Sequence, residues 1–153
     1  MSGVVHQVSI SAGGVPKLPI DGGYVGPLGL LEDGHAESFH GGADKALCVY
    51  SLEVIESIAN DGHSLAPGAA GENVTVQGVD WNEVSPGTRW LIGAEVEIEV
   101  THFTTPCVKN SRWFADGDIS RINQQLHPGR SRVYARVLIE GVVRPGDQFI
   151  PAD

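Results

Sequence analysis

The amino-acid sequence predicts a single domain that is mainly β, with a few short helices. Stretches with the composition of strands outnumber stretches with a helical period, and 20 glycines and 9 prolines supply the turns that many short strands require. A chain of 153 residues has about the length of one domain and can bury a hydrophobic core. No repeat, low-complexity tract or linker divides it, so we assign residues 1–153 to one domain.

The first strand signal lies near the start of the sequence. Residues 4–10 are rich in valine and isoleucine, which favour a pleated, half-buried surface. Gly13, Gly14 and Pro16 then break the strand, and residues 15–20 resume an extended pattern. These two segments are predicted to pair as a hairpin.

Two segments carry helix signals. Residues 51–60 place four apolar side chains on one face, Ser51 can cap the first turn, and an Asp-Gly pair can end the last one. Residues 118–126 predict a second, shorter helix with Asp118 as its cap and a Pro-Gly pair beyond it.

The clearest strand signal is a strict alternation over residues 95–100, in which a valine or isoleucine follows each glutamate. Because side chains alternate between the two faces of a strand, the apolar residues face a core and the glutamates face water. Residues 132–139 predict another strand, and residues 142–150 contain a Pro-Gly turn. We expect the chain to close with a meander of these last strands.

Charge and cysteine content exclude several functional classes. The formal net charge is −9, and the ten lysines and arginines are scattered, so no basic stripe is available to neutralise a nucleic acid or an anionic membrane surface. The two cysteines are far from any CxxC spacing, and the sequence shows no charged-then-apolar leader and no long apolar run. We therefore expect a cytoplasmic protein that neither binds nucleic acid nor enters a membrane.

The residue with the strongest chemical signal is Cys107. It follows Pro106 just after the alternating strand, and Lys109 and Arg112 come shortly after it. A thiol becomes a nucleophile or a soft metal ligand once it is deprotonated, and nearby cations favour that form. A cysteine that only fills space in the core is the alternative, but the proline and the two cations make Cys107 a candidate working thiolate.

A second candidate is the loop that contains His40, Gly41, Gly42 and Lys45. Adjacent glycines let backbone N–H groups approach a ligand closely, while the flanking histidine and lysine add side-chain donors. This combination can bind a phosphate or another oxyanion. It is not a Walker A loop, because the GxxxxGK[ST] spacing is absent, and a glycine turn with solvated neighbours is the alternative.

A third candidate is the turn at Gly71, which leads through Glu72 and Asn73 into a strand. Polar residues at the entrance of a strand are well placed to line a pocket at one end of a sheet or barrel, and the Asn73 amide can both donate and accept. Alternatively, Asn73 serves only its own backbone, and Glu72 satisfies local backbone or pairs with a lysine.

Taken in order, these motifs resemble the MOSC domain, named after the molybdenum-cofactor sulfurase C-terminal domain. The motifs are His40-Gly41-Gly42 with Asp44-Lys45-Ala46, Gly71-Glu72-Asn73, Leu91-Ile92-Gly93, Pro106-Cys107, and Arg136-Val137-Leu138 to Gly146-Asp147. Their order and spacing agree with the family over nearly the whole chain. The resemblance implies a β-barrel-like fold with a few helices and a pyranopterin molybdenum cofactor. A pyridoxal phosphate cofactor is not expected.

The resemblance also implies roles for individual residues. The metal takes the sulfur of Cys107 as a ligand, which makes Cys107 the catalytic residue. We expect the rest of the anionic cofactor to be held by His40, Gly41, Gly42, Lys45, Asn73, Lys109 and Arg112. For His40, a ring satisfied by neighbouring backbone is an equal alternative.

Three functional classes stay open at this point. Family members include reductases of N-hydroxylated compounds and proposed carriers of sulfur or cofactor. The chain is thus expected to be either a molybdenum-dependent oxidoreductase acting on a small molecule or a carrier that delivers its cargo to a recipient protein. A barrel that binds a small anion without redox chemistry is the third class.

The chain departs from the family pattern in two places. Gly87-Thr88-Arg89 stands where many relatives carry Gly-Asp, which we interpret as structural variation. The sequence ends at Asp153, with little room for the additional segments of longer relatives. Catalysis is therefore expected to need a partner such as an electron-donor protein, and an oligomer is compatible with the sequence.

Other cysteine and histidine residues suggest a different site. A zinc or iron centre would draw on Asp33, His35, His40 and Cys107, although their spacings match no familiar ligand pattern. Cys48 lies in an apolar run and is expected to be buried and inert.

Overall fold

The fold is a β-barrel with one α-helix and several short 3-10 turns, as seen in a computed structural model that describes residues 2–34 and 42–152. The strands are β1 (Gly3–Ile10), β2 (Leu18–Ile20), β3 (Gly23–Gly26), β4 (Gly29–Leu30), β5 (Leu47–Ser51), β6 (Val74–Gln77), β7 (Arg89–Ile92), β8 (Val96–Phe103), β9 (Val133–Ile139), β10 (Gly141–Val143) and β11 (Gln148–Pro151). The helix α1 spans Leu52–Asn60. The predicted mainly β, barrel-like fold is confirmed.

Seven strands form a closed barrel. Their order is β11-β7-β8-β9-β5-β6-β1, and a further pairing of β11 with β1 closes the circle, while β2 pairs with β1 beyond the ring. β5 and β6 run parallel and are joined through α1, since parallel neighbours need a crossover connection. Closure pairs the edges that an open sheet would leave exposed.

Alternation along β8 shows how the sequence builds the barrel. Val96, Ile98 and Val100 are buried, whereas Glu97 and Glu99 are partly exposed. The predicted orientation of the glutamates along this strand is therefore confirmed. In contrast, all five residues of β5 are buried, because its position beside α1 and within the ring covers both of its faces.

The helix α1 matches its prediction closely. The Ser51 hydroxyl accepts a hydrogen bond from the Val54 N–H at 3.2 Å, so it caps the first turn. The helix ends at Asn60, and Gly62 follows with φ of 101°, a left-handed conformation that glycine adopts without strain.

The predicted helix over residues 118–126 is largely wrong. Only Ile119–Ile122 form a 3-10 turn, for which the Asp118 carboxylate accepts from the Ser120 N–H as expected for a cap. Asn123 is extended, and its side chain accepts a hydrogen bond from the Leu126 N–H. Asparagine side chains compete in this way with helical backbone bonds, and the competition ends the helix early.

The predicted closing meander is also wrong, although the hairpin near the start is confirmed. β10 leaves the barrel and pairs with β3 in a separate three-stranded sheet of order β10-β3-β4. β11 then returns to pair with β7 and β1, because closing the ring requires a strand between those two edges. In the hairpin, Val8 pairs with Ile20, and the second strand is shorter than expected. Within the described ranges, no helix has the length and apolar character needed to cross a membrane.

The barrel core depends on a stacked aromatic pair. Trp90 of β7 and Phe149 of β11 lie with ring centroids 4.9 Å apart and planes 9° from parallel, and both are almost fully buried. They join the last strand of the ring to its neighbour.

Trp90→Ala is expected to lower the free energy of unfolding by about 3–5 kcal/mol, since it removes a large buried ring and leaves a cavity beside Phe149. Urea unfolding followed by circular dichroism measures the change. Leu138→Ala is the matched control, because Leu138 on β9 is exposed and its loss should cost less than about 1 kcal/mol. Equal losses for the two variants would contradict the assigned core.

Candidate functional site

Cys107 lies at one end of the barrel, in the connection that follows β8. It is partly exposed, carries a free thiol, and directly precedes the 3-10 segment Val108–Trp113. Its carbonyl oxygen accepts from the Asn110 N–H at 2.9 Å. Asn110 is fully buried and fixes the segment by donating to the Ala70 carbonyl at 3.1 Å and accepting from the Trp113 indole at 3.1 Å.

Cys107 lines a cavity of about 80 Å³, which we call the narrow cavity. The described lining residues include four cationic side chains and one carboxylate, from Asp33. The cationic residues are Lys17, Lys45, Lys109 and Arg132. Although the whole chain has a net charge of −9, positive charge is concentrated around this cavity, and local charge in a cleft favours an anionic ligand.

The carboxylate of Asp33 is held in a buried network. It accepts from the Lys17 ammonium at 2.7 Å and from the Asn73 amide at 2.8 Å. Asn73 also donates to the Ser9 carbonyl and accepts from the Cys48 N–H. The Asn73 side chain therefore uses both of its N–H groups within the protein and fixes one wall of the narrow cavity.

Arg132 supplies the most distinctive feature of the narrow cavity. Its side chain is only 5% exposed, and one Nη donates to the Ala70 carbonyl at 2.8 Å. Its Nε and second Nη are buried with no nitrogen or oxygen partner among the residues that the structure describes, although the Arg132 side chain also lies within hydrogen-bonding reach of the Cys48 thiol. Buried donors without partners cost about 1–3 kcal/mol each, so an anion that accepted hydrogen bonds from these nitrogens would offset part of that cost.

Glu72 lies close to Arg132 but carries out a local structural role. One carboxylate oxygen accepts from the Gly68 N–H and the Thr75 hydroxyl, both at 2.9 Å. Complete burial raises the pKa of Glu72. The alternative in which Glu72 satisfies local backbone is therefore confirmed.

A second cysteine also reaches the narrow cavity. Cys48 is 5% exposed, as predicted, and burial raises the pKa of its thiol to about 12. Tyr134 stands opposite Cys48 in the β5–β9 pairing, and burial, with the two nearby thiols, raises the pKa of its hydroxyl to about 12 as well. Both groups keep their protons at neutral pH.

A larger cavity of about 580 Å³ adjoins the narrow one, and we call it the wide cavity. The two share the residues Lys45, Thr105, Cys107 and Tyr134. The wide cavity is lined in addition by His102, Phe103 and Pro106. In the shared wall, Lys45 Nζ lies 5.3 Å from the centroid of the Tyr134 ring, within the range of a cation–π contact.

The structure brings together four of the residues selected from the sequence. Cys107, Lys45, Asn73 and Lys109 all line the narrow cavity. Arg112 is not among the described lining residues, because its guanidinium donates to the Val15 and Lys109 carbonyls and lies over the Trp113 ring. Two of the other predicted residues, His40 and Gly41, lie outside the described ranges.

Gly42 lies within the described ranges but is not among the residues that line either cavity. It precedes the 3-10 turn Ala43–Lys45 and has φ of 99°. This left-handed conformation gives Gly42 a structural reason to be a glycine. Whether Gly42 contacts a ligand stays a prediction.

Sequence reasoning missed Lys17, Arg132 and Tyr134. Arg132 and Tyr134 belong to a segment that reads as an ordinary strand, and Lys17 lies in the predicted hairpin. A cationic residue at the end of a predicted strand could have marked Arg132 as a candidate. Nothing in the sequence shows that its guanidinium is buried.

The alternative zinc or iron site gains no support from the described residues. Asp33 is paired with Lys17, and His35 and His40 lie outside the described ranges. Within residues 2–34 and 42–152, no three His, Cys, Asp or Glu side chains converge as metal ligands would.

Comparison with known protein families identifies the fold. The MOSC domain model matches residues 36–149. The chain belongs to the MOSC domain family. This family is associated with molybdenum-cofactor binding, and the match covers Cys107, Arg132 and most of the strands of the barrel.

Individual relatives support the assignment of this MOSC domain. YflK, an uncharacterized protein of Bacillus subtilis (strain 168), is 36% identical over 118 residues, which are 74% of this chain and 51% of YflK. The chain therefore spans about half the length of that relative. The crystal structure of YiiM from Geobacillus stearothermophilus is 26% identical, with a TM-score of 0.70 over 97% of this chain and 75% of YiiM. The YuaD protein from Bacillus subtilis, at 18% identity, shares the fold with a TM-score of 0.78 over 97% of this chain and 94% of its own.

The two thiols of this MOSC domain should differ in reactivity. At pH 8, iodoacetamide should modify Cys107 in the folded protein much faster than Cys48, because Cys107 is partly exposed whereas burial and a pKa of about 12 keep Cys48 protonated. Mass spectrometry of peptides from timed samples measures both rates. Unfolding in urea is the control and should make the two rates similar. Equal rates in the folded protein would contradict the described burial.

Proposed function

We propose that this MOSC domain binds a molybdenum cofactor at the narrow cavity, with the Cys107 sulfur as a ligand to the metal, and that it reduces N-hydroxylated compounds. The observation that carries the proposal is the buried Arg132 guanidinium, which has two nitrogens without a nitrogen or oxygen partner among the described residues and lines the same cavity as Cys107. The association of the family with this cofactor supports the same conclusion.

The donor set of the narrow cavity fits such a ligand. The phosphate of a pyranopterin cofactor is anionic, and charge-assisted hydrogen bonds from a guanidinium are about twice as strong as neutral ones. Lys45 and Lys109 add positive charge from two other parts of the chain. A volume of about 80 Å³ suits a group of phosphate size, so the larger remainder of the cofactor requires space beyond the narrow cavity.

The Cys107 sulfur is a soft donor that suits a metal already bound by sulfur ligands. When bound, the cofactor would supply two-electron redox chemistry at the metal. Tyr134, which lines the same cavity as Cys107, keeps the proton on its hydroxyl at neutral pH, since the pKa of that hydroxyl is about 12. The wall shared by the two cavities would thus bring together the Cys107 thiol as a ligand, the Lys45 ammonium and the protonated Tyr134 hydroxyl.

The overall reaction is R–NHOH + 2 e⁻ + 2 H⁺ → R–NH₂ + H₂O. The N–O bond breaks, the nitrogen is reduced, and the oxygen leaves as water. The electrons come from an external donor protein, and the protons come from solvent by way of groups such as the Tyr134 hydroxyl.

Cys107→Ser is expected to abolish reduction of an N-hydroxylated substrate by an artificial reductant, because a serine hydroxyl is a harder and weaker ligand than a thiolate. The protein should be isolated anaerobically from a molybdenum-replete host. Metal analysis then reports molybdenum per chain, and product formation reports turnover. Ser111→Ala, in the neighbouring 3-10 segment, is the control and should keep both values.

The outcomes of that experiment separate the functional classes. Retention of both molybdenum and turnover in Cys107→Ser would show that the ligand assignment is wrong. Molybdenum without turnover in the unmodified protein would indicate a carrier. A protein without molybdenum under these conditions would contradict the proposal as a whole.

Arg132→Met is expected to reduce molybdenum content at least about tenfold, because it removes the charge-assisted hydrogen bonds to the anionic cofactor. Arg136→Met is a matched control on β9, the strand that begins directly after Arg132, and Arg136 is 47% exposed. Thermal unfolding of both variants shows whether the fold survives. A folded Arg132→Met protein with normal molybdenum content would rule out Arg132 as an anchor.

A further inference from the structure

Glu72 is a buried carboxyl group whose two chain neighbours line the narrow cavity. Gly71 and Asn73 both belong to the cavity wall, whereas Glu72 is not among the described lining residues and is 0% exposed. One of its oxygens accepts from the Gly68 N–H and the Thr75 hydroxyl, but the other is buried without a hydrogen-bond partner among the described residues. The hydrogen-bonding capacity of this carboxyl group is therefore only half used.

The Arg132 guanidinium packs against the turn that carries Glu72. One Nη lies 2.8 Å from the Ala70 oxygen, and the same Nη lies 3.9 Å from the point where a Cβ would stand on Gly71. The Nε and the other Nη have no nitrogen or oxygen partner among the described residues, so neither is bonded to the Glu72 carboxyl. Because Arg132 also lines the narrow cavity, its charge acts both on Glu72 and on any anion bound there.

An anion in the narrow cavity and an ionised Glu72 compete for the charge of Arg132. The Glu72 carboxylate offsets that charge and repels the anion, whereas the protonated carboxyl does neither. Linkage between two binding events is reciprocal, so a bound anion also makes Glu72 easier to protonate. Uptake of a proton together with the anion limits the excess of negative charge in a buried region, where unbalanced charge is costly.

Several other ionisable groups lie on the elements packed around Glu72. They are Arg132 at the entrance of β9, Cys48 and Tyr50 on β5, and the ion pair of Lys17 with Asp33. Arg132 keeps its charge, and burial raises the pKa of the Cys48 thiol and of the Tyr50 hydroxyl, so both keep their protons at neutral pH. Burial also raises the pKa of Glu72, while the charge of Arg132 acts against that shift.

We propose that Glu72 couples the binding of an anion at Arg132 to the uptake of a proton, so that the narrow cavity binds its anion most tightly when the Glu72 carboxyl is protonated. The proposal rests on the proposed function for the identity of that anion, which is the phosphate of the cofactor. Glu72 is a positioning residue in this scheme, because it acts through Arg132 and does not itself line the cavity.

Sulfate binding to the full chain tests the proposal, because the charge of sulfate stays constant over a range of about pH 5.5 to 8.5. We expect the affinity to be highest at the low end and to fall about tenfold as the pH rises through the titration of Glu72. Isothermal titration calorimetry in two buffers of different ionisation enthalpy measures both the affinity and the protons taken up. Above the pH at which Glu72 ionises, uptake should approach about one proton per sulfate.

Glu72→Gln mimics the protonated carboxyl, since the amide oxygen can still accept from the Gly68 N–H and the Thr75 hydroxyl. Its affinity for sulfate should stay at the low-pH value of the unmodified protein over the whole range. Glu97→Gln on β8 is the matched control, because it removes the same charge but Glu97 lines neither cavity among the described residues. It should keep the full pH dependence, and thermal unfolding shows whether each variant is folded.

The thiol of Cys107 titrates beside the same cavity, so the measurement is repeated in Cys107→Ser, where the pH dependence should persist. The proposal is overturned if sulfate at about 10 mM does not bind at low pH, or if its affinity changes less than about twofold over the range. It is also overturned if Glu72→Gln keeps the slope of the unmodified protein, because other groups such as histidines would then be responsible. If Glu72→Gln does not fold, proton uptake by Cys107→Ser decides, and its absence contradicts the proposal.

Molybdenum content of the same preparations reports separately on the proposed function. Proton-coupled sulfate binding that disappears in Glu72→Gln, in a protein that takes up no molybdenum, would support the role of Glu72 while contradicting the cofactor assignment. Normal molybdenum content together with sulfate binding that is independent of pH would overturn the role of Glu72 and leave the proposed function intact.

Discussion

The carbonyl oxygen of Ala70 holds the candidate site together. It accepts one hydrogen bond from the Asn110 amide at 3.1 Å and another from the Arg132 guanidinium at 2.8 Å. Asn110 fixes the segment that follows Cys107, and Arg132 lies at the entrance of β9. Because all three groups are buried, none can exchange its partner for water, and the two donors keep a fixed relation to one another.

This arrangement explains how an acidic protein can present a cationic cavity. The four cations around the narrow cavity come from separate parts of the chain, so no run of basic residues marks them in the sequence. Asp33 offsets the charge of Lys17, whereas Arg132 donates to a neutral carbonyl. Burial raises the pKa of the neighbouring Glu72, and the charge of Arg132 acts against that shift. Burial of Arg132 therefore concentrates positive charge where screening by salt is weakest.

The sequence was sufficient to predict features that depend on residues close together in the chain. The glutamates of β8 and the cap at Ser51 follow from periodicity and from local hydrogen bonding, and the structure shows both. It was insufficient where distant segments decide the outcome. The departure of β10 from the barrel depends on pairing with β3, more than a hundred residues away, and the extra residue at Thr101 in the pairing of β8 with β9 has no sequence signature.

The residues of the candidate site also divide into those that the local sequence indicates and those that only the fold brings together. The sequence pointed to Cys107, Lys45 and Lys109 because each lies within three residues of a glycine or proline that shapes the local backbone. Arg132 and Tyr134 were not, since their importance comes from burial and from the strands opposite them. Arg112 was selected for its closeness to Cys107 in the sequence, but a 3-10 turn directs its guanidinium over Trp113.

The pairing of β11 with both β1 and β7 has a consequence for how this chain is made. During synthesis on the ribosome, β1 emerges early, yet its Gly3–Val4 segment lacks the partner that closes the ring until residues 148–151 have left the exit tunnel. Until then, the nascent chain displays unpaired backbone on two strands, which invites association with other chains. The ring therefore closes only late in synthesis, and the nascent chain is most open to aggregation, and to binding by molecular chaperones, before that point.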